Sequence, residues 1–310
     1  MAVTELDTVV AATASDPRRV RSKDVWIARW LLLPAVLFLI LLTQIPFLVT
    51  VGYSTIKWNL LYPADRGFTG FKNYLSALSS GDLWPSVVAT VVITALAVVL
   101  SLLLGLLFAL LLDRNFRGRA VARTLMITPF LIMPAASALI WKYSMFDTNI
   151  GMLNWLSRSL HLPVVSWSTE HPLMAVVIVL TWQFTPFMML ILLAGLQGQD
   201  RGVLEAAQVD GASSWRTFTW ITLPHLRVYV EIGVLLGAVI IIQVFDPIAI
   251  LTKGTGGTKT LAYLLYERAF IGLDVGQAAA YGVITVVLTI IVATIALRTL
   301  FKVFMAGGSR

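Results

Sequence analysis

The sequence predicts an all-α membrane protein whose six helices each cross the bilayer. Three observations carry that prediction. Of the 310 residues, 58% are hydrophobic and only 13% are charged, against about 25% charged in soluble domains. The apolar residues gather into six runs, at 30–51, 87–112, 121–143, 173–196, 228–251 and 276–297. Each reaches the ~20 residues a helix needs to span a bilayer. The lysines and arginines sit at the ends of these runs and favour alternate loops.

The first run follows Arg18, Arg19, Arg21, Lys23 and Arg29. A basic stretch before an apolar run also describes a signal peptide. This run is long, lies well into the chain and lacks a small-residue cleavage site, so it reads as a retained span. Residues 1–28 then form a partly disordered tail, 29–304 the membrane domain, and 305–310 a short second tail. In the second run Ser101, Gly105 and Ala109 recur at every fourth position, as Ala278 and Gly282 do in the sixth. Small residues at that spacing let helix backbones approach closely. They mark helix–helix contacts, with a second membrane subunit as one candidate partner. Pro34, Pro46, Pro129, Pro134, Pro186 and Pro247 interrupt the runs. Each removes a backbone donor and favours a kink. Broken helices are tolerated in a membrane where they line a cavity or are buried in protein.

An even number of spans puts both termini on one side. That side holds fifteen of the 23 lysines and arginines, which makes it cytoplasmic. The net charge of +7 is placed at span ends, where it suits a lipid surface rather than nucleic acid. There is no cysteine, so disulfide and thiolate chemistry are excluded.

One cytoplasmic loop, 199–225, is patterned rather than merely polar. Arg201, Glu205 and Gln208 line one helix face, with Leu204 and Ala207 on the next. Gly211 stands where a tight turn needs positive φ. Trp215, Phe218 and Thr222 then repeat at helical spacing, and Pro224 is expected to close this second helix. A loop so structured between spans suits a grip by another protein.

The segment Glu205-Ala206-Ala207, three residues, Gly211, nine residues and Ile221-Thr222-Leu223-Pro224 resembles the EAA loop of bacterial binding-protein-dependent ABC importer permeases. Asp210-Gly211-Ala212 is similar to the carbohydrate-importer branch. Gly70-Phe71-Lys72-Asn73-Tyr74 and Gly151-Met152-Leu153-Asn154 resemble that family's two external loop elements, and Trp182, Pro186, Phe187, Ala194, Gly195 and Leu196 its approach to the loop. Two positions depart from the pattern. Gln199 and Asp200 stand where the family usually has a proline, and Asp200 can cap the helix instead. Val88-Ala89-Thr90 replaces a usual asparagine. The resemblance implies a type I importer permease fold in the cell membrane. It also implies a loop in which Arg201, Glu205, Ala206, Ala207, Asp210, Gly211, Ala212 and Pro224 couple to a cytoplasmic ATPase dimer. The implied partners are a second homologous permease and an external solute-binding protein. ATP and magnesium would be bound by the ATPase, and this chain would carry no cofactor.

Two polar clusters lie beside span prolines: Trp182, Gln183 and Thr185 before Pro186, and Gln243, Phe245 and Asp246 before Pro247. Aromatic faces beside amides or carboxylates suit a polyhydroxylated solute, and polar residues inside a membrane point to function. They are the candidate substrate path for a sugar or polyol. The absence of lysine or arginine well inside the spans argues against a phosphorylated solute. Gly254 to Lys259 looks like a phosphate-binding loop, but the glycine and lysine spacing fails the G-x-x-x-x-G-K-[ST] pattern. It reads as an external turn. His161, His171 and His225 form no metal or catalytic motif, and His225 reads as a loop residue. An ATPase-independent channel or secondary transporter is the alternative. Filter signatures and inverted repeats are not evident in the sequence.

Overall fold

The computed structural model describes residues 22–305, with side chains over 30–295 and at Arg298. Residues 1–21 and 306–310 of the two expected tails lie outside this range. Residues 22–28, expected in the tail, already belong to the first helix, α1 (Ser22–Ser54). The chain divides at Gly52 into two units. In the first, α1 runs unbroken through Pro34 and Pro46.

The second unit starts at Tyr53. A short antiparallel pair, β1 (Ile56–Lys57) and β2 (Gly67–Phe68), is pinned by α2 (Lys72–Ser79). Asn73 Nδ2 donates to Ser54 O and Ile56 O, both at 2.9 Å. The Tyr74 hydroxyl shares a 2.6 Å hydrogen bond with Ser54 Oγ. The Gly70–Tyr74 element is therefore a loop clamp.

The long helix α3 (Leu83–Asp113) leads to a broken span. Helices α4 (Arg119–Leu131) and α5 (Pro134–Ile140) meet at an angle of 102°, with α5 prolonged by a π turn over Trp141–Met145. Pro134 explains the break. It lacks an N–H and disfavours helical ψ in the residue before it. Ile132 and Met133 accordingly take ψ of 134° and 136°. The single span expected over 121–143 is thus two helices. Next, α6 (Met152–Ser159) carries the buried Asn154, whose Nδ2 donates to Phe146 O, Asp147 O and Val165 O. Its Oδ1 accepts from Val165 N at 2.9 Å.

After α7 (Trp167–Glu170) comes the central helix, α8 (Pro172–Gln197), whose most apolar stretch is 72% buried. Beyond it lie α9 (Arg201–Val209), α10 (Ser214–Thr217) and α11 (Leu223–Ile241). The chain finishes with α12 (Leu261–Tyr266) and α13 (Val275–Met305). The fifth span was expected over 228–251. It instead ends at Ile241, breaks over 242–245 and resumes at Asp246 into a π turn over Ile248–Thr252; Pro247, early in the resumed helix, has no N–H to bond back across the break.

Close approach of α3 to α8 holds the bundle. A Cβ on Gly105 would lie 2.7 Å from Met188 Cβ and 2.8 Å from Met189 N. Ser101 and Ala109 on the same stripe are fully buried, and Ser101 Oγ donates to Thr181 O. The small-residue stripe of the second span therefore packs within this chain, not against a second subunit. In lipid such packing rests on dispersion contacts rather than hydrophobic contrast. At the far end of α3, Asp82 pairs with Arg268 at 2.7 Å and Lys259 at 3.7 Å, and Lys259 with Glu267 at 2.8 Å.

Candidate functional site

The loop after α8 is built from caps. Asp200 Oδ1 accepts from Gly202 N at 2.8 Å and so starts α9. At the other end Ala212 N donates to Ala207 O and Gly211 N to Gln208 O, with Gly211 at φ +78°. This pair of bonds with a left-handed glycine is a Schellman closure. Ser213 Oγ then caps α10 through Arg216 N. The helix does not stop at Pro224. It runs on from Ser214 to Ile241 through a π turn over Phe218–Thr222. The wide turn hydrogen-bonds Leu223 N to Phe218 O, so the donor missing at Pro224 falls where the ladder is already changing register. The expectation that Pro224 closes the helix is corrected.

No residue of α9 is buried. Arg201, Glu205, Ala206, Asp210, Gly211 and Pro224 are exposed, and Ala207 and Ala212 half-buried. Apolar side chains are exposed beside them: Val209 at 88%, Trp215 at 74% and Trp220 at 78%. Arg201 and Glu205 form no ion pair among the described residues.

Two residues whose role the sequence analysis missed tie this loop to the bundle. His225, expected in a loop, lies in α11, with Nε2 3.0 Å from Gly195 O on α8. Tyr229, one turn on, fills the space beside Gly195, where a Cβ would come within 2.6 Å of its ring. The four-residue spacing of His225 and Tyr229 on one helix face was the available signal.

The two polar clusters have separate surroundings. Gln183 is buried, and its Nε2 donates to Ile132 O at 3.0 Å, satisfying a carbonyl freed by the α4–α5 break. Thr185 Oγ1 is bonded to Thr181 O at 2.6 Å. Trp182 packs edge-on to Trp141 and lines a cavity of about 830 Å³. That cavity is walled by leucines, Phe108, Met126, Pro129 and Pro186, with Thr181 and Thr185 its only polar side chains besides Trp182. Its lining offers little to a polyol. In the other cluster Phe245 stacks on Tyr263 and leans on Tyr266. Gln243 is exposed and bonded to Val239 O, and Asp246 is half-buried. Lys142 Nζ donates to Ile250 O at 2.8 Å and joins the two interrupted spans. Outside the spans, Gly254 to Thr258 form a turn closed by a Thr252–Thr258 hydroxyl bond of 2.6 Å.

Comparison with known proteins agrees with this architecture. Residues 101–305 match the family of binding-protein-dependent transport system inner membrane components. A probable ABC transporter permease, y4oQ of Sinorhizobium fredii, is 36% identical over 289 residues, covering 92% of both chains. The trehalose/maltose transport system permease MalF of Thermococcus litoralis is 31% identical, over 84% of this chain and 88% of that one. The trehalose transport permease SugA of Mycobacterium tuberculosis is 30% identical over 91% of each. A chain in the crystal structure of a bacterial alginate ABC transporter, complexed with its alginate pentasaccharide-bound periplasmic protein, has the same fold. The TM-score is 0.77 at 19% identity, over 92% of this chain and 99% of that one. The chain belongs to the binding-protein-dependent transport system inner membrane component family and is a multi-pass permease subunit of an ABC transporter.

Proposed function

We propose that this chain is one permease of an ATP-driven importer for a sugar or polyol. An external binding protein delivers the solute, and the chain pairs with a second permease. The named trehalose and maltose permeases among its relatives support the substrate class. The observation that carries the mechanism is the doubly capped helix α9, none of whose residues is buried, with Val209 bare on it and Trp215 bare on α10. Such a surface is costly in water and suits a protein partner. We assign that partner as a cytoplasmic ATPase dimer, which binds ATP and magnesium. This puts the loop and both termini in the cytoplasm.

Arg201 and Glu205 supply charge to the contact. Ala206, Ala207 and Ala212 keep the helix face low, Asp210 and Gly211 form the turn, and Pro224 follows it into the membrane. Closure of the ATPases on ATP pushes α9. The push passes through the His225–Gly195 contact to α8, and the bundle rocks between inward-facing and outward-facing states. Gln243, Phe245 and Asp246 meet the solute, while Trp182, Gln183 and Thr185 hold the shape of α8 and the break opposite it.

Uptake of labelled trehalose and maltose by cells carrying the whole transporter tests this. Gln243→Ala and Phe245→Ala should raise KM without loss of membrane protein. Unchanged KM in both would remove the proposed path.

A further inference from the structure

Where α8 gives way to the exposed loop, two arginines converge on one oxygen. Arg119 and Arg123 stand one turn apart on α4, facing Gln197 at the end of α8. With its amide turned to present oxygen, Gln197 accepts from Arg119 Nη2 and Arg123 Nη2, both at 2.9 Å. Arg119 Nη1 also donates to Asn115 Oδ1 at 3.2 Å. Neither guanidinium has a carboxylate within ion-pair distance among the described residues. The Nε–H of each is buried and has no hydrogen-bond partner. Arg119, Ala120, Arg123, Thr124 and Gln197 line a cavity of about 510 Å³.

This arrangement is incomplete on its own. The two cations have only neutral acceptors, Gln197 shared between them and Asn115 on Arg119, and both side chains are half-buried, where water screens them less. Two buried N–H groups go unmet, each a cost that a partner would remove. An oxyanion supplies the missing countercharge, and a small turn of each guanidinium would bring its Nε–H onto it, because guanidinium forks match an oxyanion with paired N–H donors. A phosphate, with several acceptor oxygens, can engage both forks at once; a carboxylate has only two.

We infer that this cavity binds a phosphate-bearing anion between Arg119 and Arg123. The phosphate comes either from the headgroup of an anionic phospholipid or from a soluble phosphate. A second crevice of about 270 Å³, which also holds the Asp113 carboxylate, shares Arg119 and Gln197 and reaches Arg201 and Leu204 of α9. Arg119 and Gln197 thus belong both to the proposed anion site and to the junction between α8 and the exposed loop.

The full-length protein in detergent should unfold about 2–4 °C higher in phosphate than in chloride at equal ionic strength if the source is soluble. If the source is lipid, a rise of that size should appear only in discs of phosphatidylglycerol compared with phosphatidylcholine. Arg119→Gln and Arg123→Gln should abolish the shift, and Arg123→Lys should recover part of it. Native mass spectrometry of the wild-type protein gives a readout free of variants, in which a retained phosphate or phosphatidylglycerol adduct supports the site. No shift and no adduct with either anion would overturn the inference, as would equal shifts in wild type and both glutamine variants.

Discussion

Gly211 isolates one physical effect. Its φ is +78°, and a Cβ built there meets nothing within 4 Å. An alanine there therefore costs backbone strain alone, with no collision of its Cβ. For an ordinary L residue the left-handed region costs about 1–2 kcal/mol, a factor of roughly 5–30 in the closed turn. Asparagine tolerates that region better than alanine, and valine worse, because branching at Cβ crowds the backbone. The series Gly211→Asn, Gly211→Ala, Gly211→Val should thus open the turn in that order. The assay is amide exchange at Gly211 and Ala212, whose N–H groups bond to Gln208 O and Ala207 O. Protection should fall by roughly 5–30-fold in the alanine variant and less in the asparagine variant. Recovery of the ATPase should fall in the same order. Equal protection in all three variants would refute the claim that φ at Gly211 closes this loop.

Other consequences follow from contacts already described. Gly105→Ala drives a methyl group into the Met188–Met189 backbone and should destabilise the protein by about 1–3 kcal/mol, read as a lower thermal midpoint in detergent. Asn154→Ala strips a buried clamp from the loop around Phe146–Val165 and should cost on the order of 1–3 kcal/mol, read the same way. Lys259 has its pKa raised, chiefly by its hydrogen bond to Glu267. Its contribution to stability is full below its ordinary value of 10.5 and is lost as pH rises through the folded pKa. Lys259→Met should therefore reduce the loss of stability at strongly alkaline pH, and a titration of unfolding midpoint checks it.

Much of this architecture was legible in composition and pattern. Runs of about 20 apolar residues fix where helices cross, since an unpaired backbone is too costly in lipid. Gly211 was legible because few other residues tolerate its turn. The prolines were visible, but their outcomes were not. Pro134 breaks a span through 102°, Pro186 is absorbed within α8, and Pro224 is passed by a π turn. Local sequence does not say which group will take up a carbonyl left free at a break, because that depends on chain path. Gln183 illustrates it. Its polarity within a span suggested a solute contact, and what the sequence could not show is that its amide Nε2 serves Ile132 O, 51 positions away. The small-residue stripe on α3 announced a close contact, but only the fold names α8 as its partner. His225 looked isolated because Gly195, the group it meets, precedes it by 30 residues.

The central claim is that the loop from Asp200 to Pro224 holds an ATPase. Pull-down from gently solubilised membranes, wild type beside Glu205→Ala, tests it directly. The account predicts an ATPase and a second permease with wild type, and clearly less ATPase with Glu205→Ala at equal amounts of membrane-inserted protein. Equal recovery of the ATPase by both proteins, or recovery of the wild-type chain alone, would contradict it.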